Sequence, residues 1–384
     1  MREFDARGLS NVAWGFAKAP DLVPVRVWDA LAAAAVARIQ TFSPHGLSNL
    51  VWAVATAEAT TEATRELFAA VAAEAAPRAN DLSARGLCNL AWAFATHGAV
   101  DFVRTVELFA AISRAALPML DGFTPQGIAN AAWAFSSMGV AAPRFFQRIG
   151  DRVVRGVRDF DGKGLSSTAW AFAIADARAP DVYAAVAREV CRRPACLDSQ
   201  RVSNLLRALA CADQPDLVRA VAEKINLRAR DFEGNSLQLS QLYQVWLAIP
   251  DVVDLAPPCR AAFVDSRDGL LRPSQLQHEV AGVMRRLGWP FDFEFATEDG
   301  LAVDMALGQQ NLLSSKAIEV YGPYHYVIVV DDEDAPREVT ADNSGGRLLL
   351  LNGKTRFKER LLSDRGWTVC RVPYFEWPEA SMWV

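Results

Sequence analysis

The chain has 384 residues, 51% of them hydrophobic and 22% charged, enough for two or three domains or for one repeat array with an appendage. A net charge of −5 argues against bulk, sequence-blind nucleic-acid binding, and no apolar run approaches the ~18 residues that a bilayer-spanning helix needs, so no membrane partner is expected. Six scattered cysteines without a CxxC pair, beside four dispersed histidines, argue against a zinc site and for reduced, buried thiols.

Met1 stands three residues before Phe4, with no transit or signal segment between them. The expectation is therefore either a cytosolic or nuclear protein or a start that misses upstream residues; a first repeat without a polar cap makes the second real. Gly8-Leu9-Ser10-Asn11-Val12-Ala13-Trp14 returns with Gly46, Gly86, Gly127 and Gly164 at its head. The successive tryptophans Trp14, Trp52, Trp92, Trp133 and Trp170 lie 38, 40, 41 and 37 residues apart. Such a period marks a stacked array of supersecondary units. Leu9, Val12, Ala13 and Phe16 fall at i, i+3, i+4 and i+7, one face of an α-helix, and a second helix follows over residues 25–39. Two degenerate copies, at Val202–Leu209 and Leu239–Trp246, bring the total to seven helical hairpins over residues 1–252, with Arg207 in the sixth tryptophan place.

Within this frame, sameness and variability separate. Asn11, Asn49, Asn89, Asn130 and Asn204 recur, which predicts a structural row bonding the backbone of the neighbouring repeat. The tryptophans are expected to pack between repeats rather than to stack bases. The residue just before the glycine position varies and stays polar: Arg7, His45, Arg85, Gln126, Lys163, Gln200. It stands at the N-terminal end of a helix, where backbone N–H groups favour phosphate. One such residue per hairpin is what modular single-strand RNA recognition needs, and a solvated turn residue is the alternative.

Residues 253–273, with Pro257-Pro258 and Pro273, read as a linker. Beyond it the pattern changes class. Residues 275–287 predict an amphipathic helix, and 291–295, 301–307, 316–321 and 326–330 predict strands. An acidic loop follows at 331–334, then a basic helix over 354–364 and a last strand over 367–374. Residues 1–273 carry 29 basic and 28 acidic residues, residues 274–384 carry 11 and 17, and only six of the basic residues are lysine. Arginine favours planar stacking and bidentate phosphate contact over diffuse attraction.

Four C-terminal runs carry a resemblance: Val303-Asp304-Met305-Ala306; Ala317-Ile318-Glu319-Val320-Tyr321-Gly322-Pro323-Tyr324-His325; residues 351–362 from Leu351-Asn352-Gly353-Lys354; and Gly366-Trp367 through Pro373-Tyr374-Phe375-Glu376-Trp377. Over residues 275–378 the chain resembles a RAP domain, and with its hairpins it is similar to the octotricopeptide-repeat and FAST-kinase-like RAP proteins. The resemblance implies an α-solenoid followed by a small α/β, restriction-endonuclease-like RAP domain over 274–384. It also implies binding of single-stranded RNA in mitochondria or chloroplasts, for transcript processing, stability or translation, alongside other RNA-processing proteins.

Similarity to nuclease folds raises an enzymatic alternative. Asp304 and Glu319 match the carboxylates that would hold Mg²⁺ in such enzymes, but Tyr321 stands where they have lysine, leaving Lys354 or Lys358 to substitute. A nuclease-derived fold kept for binding, with no cofactor, is the preferred expectation. On that expectation Lys354, Arg356, Lys358 and Arg360, with His325 nearby, would hold RNA phosphates or a 5′ phosphate. A third alternative is a protein-binding helical scaffold.

Overall fold

The computed structural model describes residues 4–98, 101–232, 234–252, 257–268, 273–308, 315–330 and 349–377. They form a helical-repeat body and a small α/β domain, divided into two compact units. The first unit holds residues 1–160 together with 328–334, and the second holds the remainder.

Four hairpins build the first unit: α1 (Ala6–Phe16) with α2 (Val25–Val36), α3 (Pro44–Thr56) with α4 (Glu62–Ala75), α5 (Ala84–His97) with α6 (Phe102–Ala116), and α7 (Pro125–Ser137) with α8 (Pro143–Gly156). A two-residue strand, β1 (Val140–Ala141), lies between α7 and α8. First helices pack on first helices and second on second, so every hairpin buries its apolar stripe against its neighbours. Each first helix starts alike because its N-cap side chain answers one orphan backbone donor. Asp5, Ser43, Ser83 and Thr124 accept from the N–H of Gly8, Gly46, Gly86 and Gly127 at 2.7, 3.1, 3.2 and 3.1 Å. The leucine or isoleucine after each glycine is fully buried, as are Phe42, Leu82 and Phe123, which close the turns before the helices.

Of the asparagines, Asn204 bonds the next hairpin, its Oδ1 accepting from Gln241 Nε2 at 3.0 Å, a side chain rather than the expected backbone. Bonds to the next hairpin's backbone come from the residue one position earlier. Ser10 Oγ donates to the carbonyl of Gly46 at 3.1 Å, and the Cys88 thiol to that of Gly127 at 3.4 Å. Glycine lets the helices approach closely here: a Cβ at Gly127 would stand 3.2 Å from Cys88 Sγ, and one at Gly46 3.2 Å from Ser10 Oγ. Burial pushes the Cys88 thiol up to about 12, which keeps it a donor rather than a thiolate. The asparagines lie one position round the helix, half-buried or exposed, and Asn49 instead meets His45 Nε2 at 3.1 Å.

Three more hairpins open the second unit: α9 (Gly162–Ile174) with α10 (Pro180–Arg192), α11 (Ser199–Cys211) with α12 (Pro215–Lys224), and α13 (Ser236–Ala248) with α14 (Pro257–Asp268). Ser166 Oγ repeats the inter-hairpin bond, to the carbonyl of Arg201 at 3.1 Å. The last helix corrects the expected linker over 253–273. Pro257 and Pro258 open α14 rather than break the chain, because the first helical turn has no N–H bond for proline to lose. Cys259 and Ala262 are buried, and the ring of Phe263 meets Tyr243 at 5.2 Å.

The α/β part follows with α15 (Gln275–Arg286), β2 (Asp292–Ala296), β3 (Ala302–Leu307), β4 (Lys316–Tyr321), β5 (Tyr326–Val329), β6 (Leu349–Leu351), α16 (Gly353–Ser363) and β7 (Thr368–Pro373). Every strand and helix expected here is present, and β6 is additional. The acidic loop at 331–334 lies outside the described residues. One sheet runs β2-β3-β4-β7, antiparallel except for the parallel pair β4–β7, which α16 connects as a crossover helix. Val280, Ala281 and Met284 of α15 pack on Met305, Ile318 and Val320, one face of that sheet. Ile328 and Val329 pair instead with Val140 and Ala141 in the first unit. Hairpins five to seven thus share one compact unit with the α/β domain.

A methyl group on Gly162 would meet the carbonyl oxygen of Cys196 at 1.9 Å, whereas Gly15 has nothing within 4 Å. Gly162→Ala is expected to cost about 3 kcal/mol by forcing neighbouring hairpins apart, and Gly15→Ala to be neutral or stabilising by about 0.5 kcal/mol. Denaturant unfolding of the two variants beside the wild type measures the difference; equal stabilities would refute the close approach.

Candidate nucleic-acid interface

The variable polar residue of each hairpin is the second residue of its first helix. Arg7, His45, Arg85 and Gln126 in the first unit, and Lys163 and Gln200 in the second, are all exposed. Four positions on stands the asparagine and seven positions on the tryptophan, so the three share one helix face. The structure thus joins into one surface three rows that the sequence reading had assigned to two different jobs. Lys18 lies on it as well, its ammonium 4.4 Å from the Trp14 ring centre and 5.9 Å from that of Trp52. Sequence reasoning missed Lys18, because it falls just past the repeating decamer and has no counterpart there.

In the second unit the same face meets α16. Arg207 lies over one indole, Trp170, at 5.0 Å, and Lys354 approaches the same ring at 5.3 Å. Arg356 pairs with Asp176 at 2.8 Å, and Arg360 with Asp213 at 3.3 Å and with the carbonyl of Ala210. A Cβ on Gly353 would stand 1.8 Å from the carbonyl oxygen of Ala173, so the start of α16 abuts the end of α9. Asp176 and Asp213 are the residues just past α9 and α11, both with positive φ (53° and 56°), where aspartate is among the few side chains tolerated. They stand 37 residues apart in successive hairpins, and two arginines four apart on one helix reach both. The basic helix is thus neither a free phosphate-binding face nor an open helix N-terminus. Three of its cations meet the last hairpins, and its N-cap is spent on Asn352 Oδ1, which accepts from Thr355 N–H at 3.0 Å. Charge counted along a helix does not disclose its partners, which is why the sequence did not show this.

The fourth cation, Lys358, faces the sheet. The strand register sets Glu294, Asp304, Glu319 and Arg371 side by side across β2, β3, β4 and β7, on the face opposite α15. Lys358 Nζ bonds Glu319 Oε2 at 2.6 Å, and the backbone N–H of Val320 bonds Asp304 Oδ2 at 2.7 Å. Glu359 closes the far end, taking both prongs of Arg371 at 2.6 and 2.8 Å and the Tyr321 hydroxyl at 2.8 Å. Glu294 holds φ 51° inside a strand, a strained conformation for a side-chain-bearing residue, and its Oε1 and that of Glu319 are buried with no hydrogen-bond partner among the described residues. Burial pushes Glu319 up to about 7 in spite of Lys358, with Asp304 adding to the rise. Burial works against the charge of Lys358, but Glu319, Asp304 and Glu294 outweigh it and raise its pKa. His325 stacks on Tyr321 at 4.8 Å between ring centres and meets Thr355 Oγ1 at 3.2 Å; burial and then Lys358 lower its pKa.

Asp304, Glu319 and Lys358 are therefore brought together, as the nuclease alternative requires. Carboxylates on neighbouring strands are the donors that Mg²⁺ takes. One oxygen of Asp304 is held by the backbone and one of Glu319 by Lys358. No group of three His, Cys, Asp or Glu side chains among the described residues is arranged to hold a metal. What the cluster does chemically is neutralise itself across the sheet and tie α16 down.

A carboxyl whose pKa rises from its ordinary 4.5 to about 7 on folding keeps a proton that the unfolded chain releases. Its contribution to stability falls as pH climbs through that window. Glu319→Gln should flatten the decline: between pH 4.5 and 7 the wild-type melting temperature drops relative to the variant's. Parallel curves for the two proteins would contradict the shift.

No curated protein matches the chain. Residues 318–383, from β4 onward, match the family model of the RAP domain; the match begins after Asp304 and inside the expected span of 275–378. That domain is generally an RNA-binding domain, and the match covers residues 318–383 of the chain.

Proposed function

We propose that the chain is a sequence-selective binder of single-stranded RNA, its hairpins reading bases and its RAP domain closing the array. The carrying observation is the exposed row Arg7, His45, Arg85 and Gln126, one variable polar residue per hairpin, set on a shared helix face with half-exposed asparagines and tryptophans. A residue that changes while its frame stays constant is what a one-base-per-repeat reader requires. The RAP match supports RNA binding, and the mitochondrial or chloroplast setting, in RNA processing, stability or translation, is proposed on the resemblance of the repeats and motifs to helical-repeat RAP proteins. A fluorescent-protein fusion of the full chain, imaged in cells, checks the organelle.

The nuclease alternative is not favoured, because Lys358 already holds one oxygen of Glu319 and Tyr321 stands where such enzymes have lysine. RNA incubated with the protein and Mg²⁺ or Mn²⁺ should stay intact. Cleavage that disappears in Glu319→Ala would overturn this preference.

Arg85→Ala and Lys163→Ala should each weaken binding of single-stranded RNA about 3- to 10-fold. If the side chain meets a phosphate, each should also lower the salt dependence by about one counterion. Filter binding across a salt series measures both. No affinity even at low salt would leave the protein-binding scaffold as the reading of the hairpins.

A further inference from the structure

The tryptophans of the first unit do not behave as packing residues. Trp28, on α2, shows what a packed indole looks like in this chain: it is 2% exposed and meets the Phe16 ring edge-on at 6.0 Å. Trp14 is 48% exposed, and Trp52, Trp92 and Trp133 are half-buried on the face that carries the exposed polar row. The inter-hairpin contact that would make them mortar is made elsewhere, by Ser10 and Cys88 on the carbonyls of the following hairpins. Lys18 lies within reach of two successive rings, so these indoles are open enough to take a cation from outside their own helices. In the second unit Trp170 shows the covered state, with Arg207 over its ring and Lys354 beside it.

We infer that the indoles of Trp14, Trp52, Trp92 and Trp133 are stacking platforms for unpaired RNA bases, one per hairpin, and that Trp170 is not, because two cations lie on its ring whereas Trp14 and Trp52 share one exposed lysine that a base can displace. The inference rests on the RNA-binding reading and adds its mode of recognition. Their constancy, which in the sequence pointed to packing, fits this role equally well. Every base offers a π-face, so a stacking residue need not vary with the base it meets. Discrimination then falls to the residue seven positions earlier, which reaches a base edge from the same helix face. Asn49, bonded to His45, shows how the residue between them can orient the reader.

Two measurements on the full chain test this. Short fluorescent oligouridine and oligoadenosine are titrated into the wild type and into Trp52→Leu, Trp92→Leu and Trp92→Phe. Each leucine variant should lose about 10-fold in affinity with its salt dependence unchanged, since stacking releases no counterions, while phenylalanine stays within about 3-fold of wild type. Independently, oligouridine carrying 5-iodouridine is photocrosslinked to unmutated protein and the adducts are mapped. They should fall on Trp14, Trp52, Trp92 or Trp133 and not on Trp28. Wild-type affinity in folded leucine variants, or crosslinks that avoid all four indoles, would overturn the inference while leaving RNA binding intact. A wild type that binds neither oligonucleotide removes the RNA reading itself.

Discussion

The crossing between successive first helices sets the geometry on which the surface depends. At that crossing a small hydroxyl or thiol side chain donates to the next hairpin's main-chain carbonyl, and in the first unit the carbonyl belongs to a glycine. A hydrogen bond of this kind contributes only about 1 kcal/mol. Its larger effect is positional: at Gly46 and Gly127 an added Cβ would stand 3.2 Å from the donor, so the helices of the first unit approach closely there. Because the asparagine and the tryptophan, four and seven positions on from the polar residue, ride on the same helices, their spacing from hairpin to hairpin follows from that approach.

The second unit uses the same period for another purpose. Arg356 and Arg360 form an i,i+4 pair matched to two aspartates one hairpin apart, and Lys354 joins the same contact on Trp170. Exposed ion pairs such as these contribute little to stability one at a time. Together with the abutment of Gly353 on Ala173 they determine which hairpins the helix can sit on. On its other side the helix is held by Lys358 and Glu359, which bind a polar row crossing the sheet. Helix α16 is thus a tie between two differently built parts, its charges divided between them.

Most of the architecture was legible in the sequence, because it is written in local rules. N-cap residues three positions before a glycine, a buried leucine after it and a period near 38 residues leave few alternatives to stacked hairpins. The strands of the α/β part showed their period-two alternation for the same reason. Helix α14 was hidden by Pro257-Pro258, which the first turn of a helix tolerates as readily as a linker does. The interface was harder to read. The exposed row was found, since variability within a constant frame is visible in one sequence. The asparagine and tryptophan rows were assigned to packing because identity between repeats does not tell a buried role from an exposed one that treats every ligand alike. The basic helix was misjudged because its partners, Asp176, Asp213 and Glu319, lie far away in sequence and are invisible to a count of charges. The strained Glu294 left no trace at all: nothing in Phe293-Glu294-Phe295 announces a positive φ.

Asp176 and Asp213 occupy helix-end positions where glycine commonly stands, and they do so only in the two hairpins that receive Arg356 and Arg360. This makes the array asymmetric with respect to growth. A hairpin duplicated or lost among the first four leaves the arginine–aspartate match untouched. A hairpin inserted between α9 and α11 would carry one aspartate away from its arginine and break the tie. The fifth and sixth hairpins are thus the ones whose spacing the helix α16 fixes.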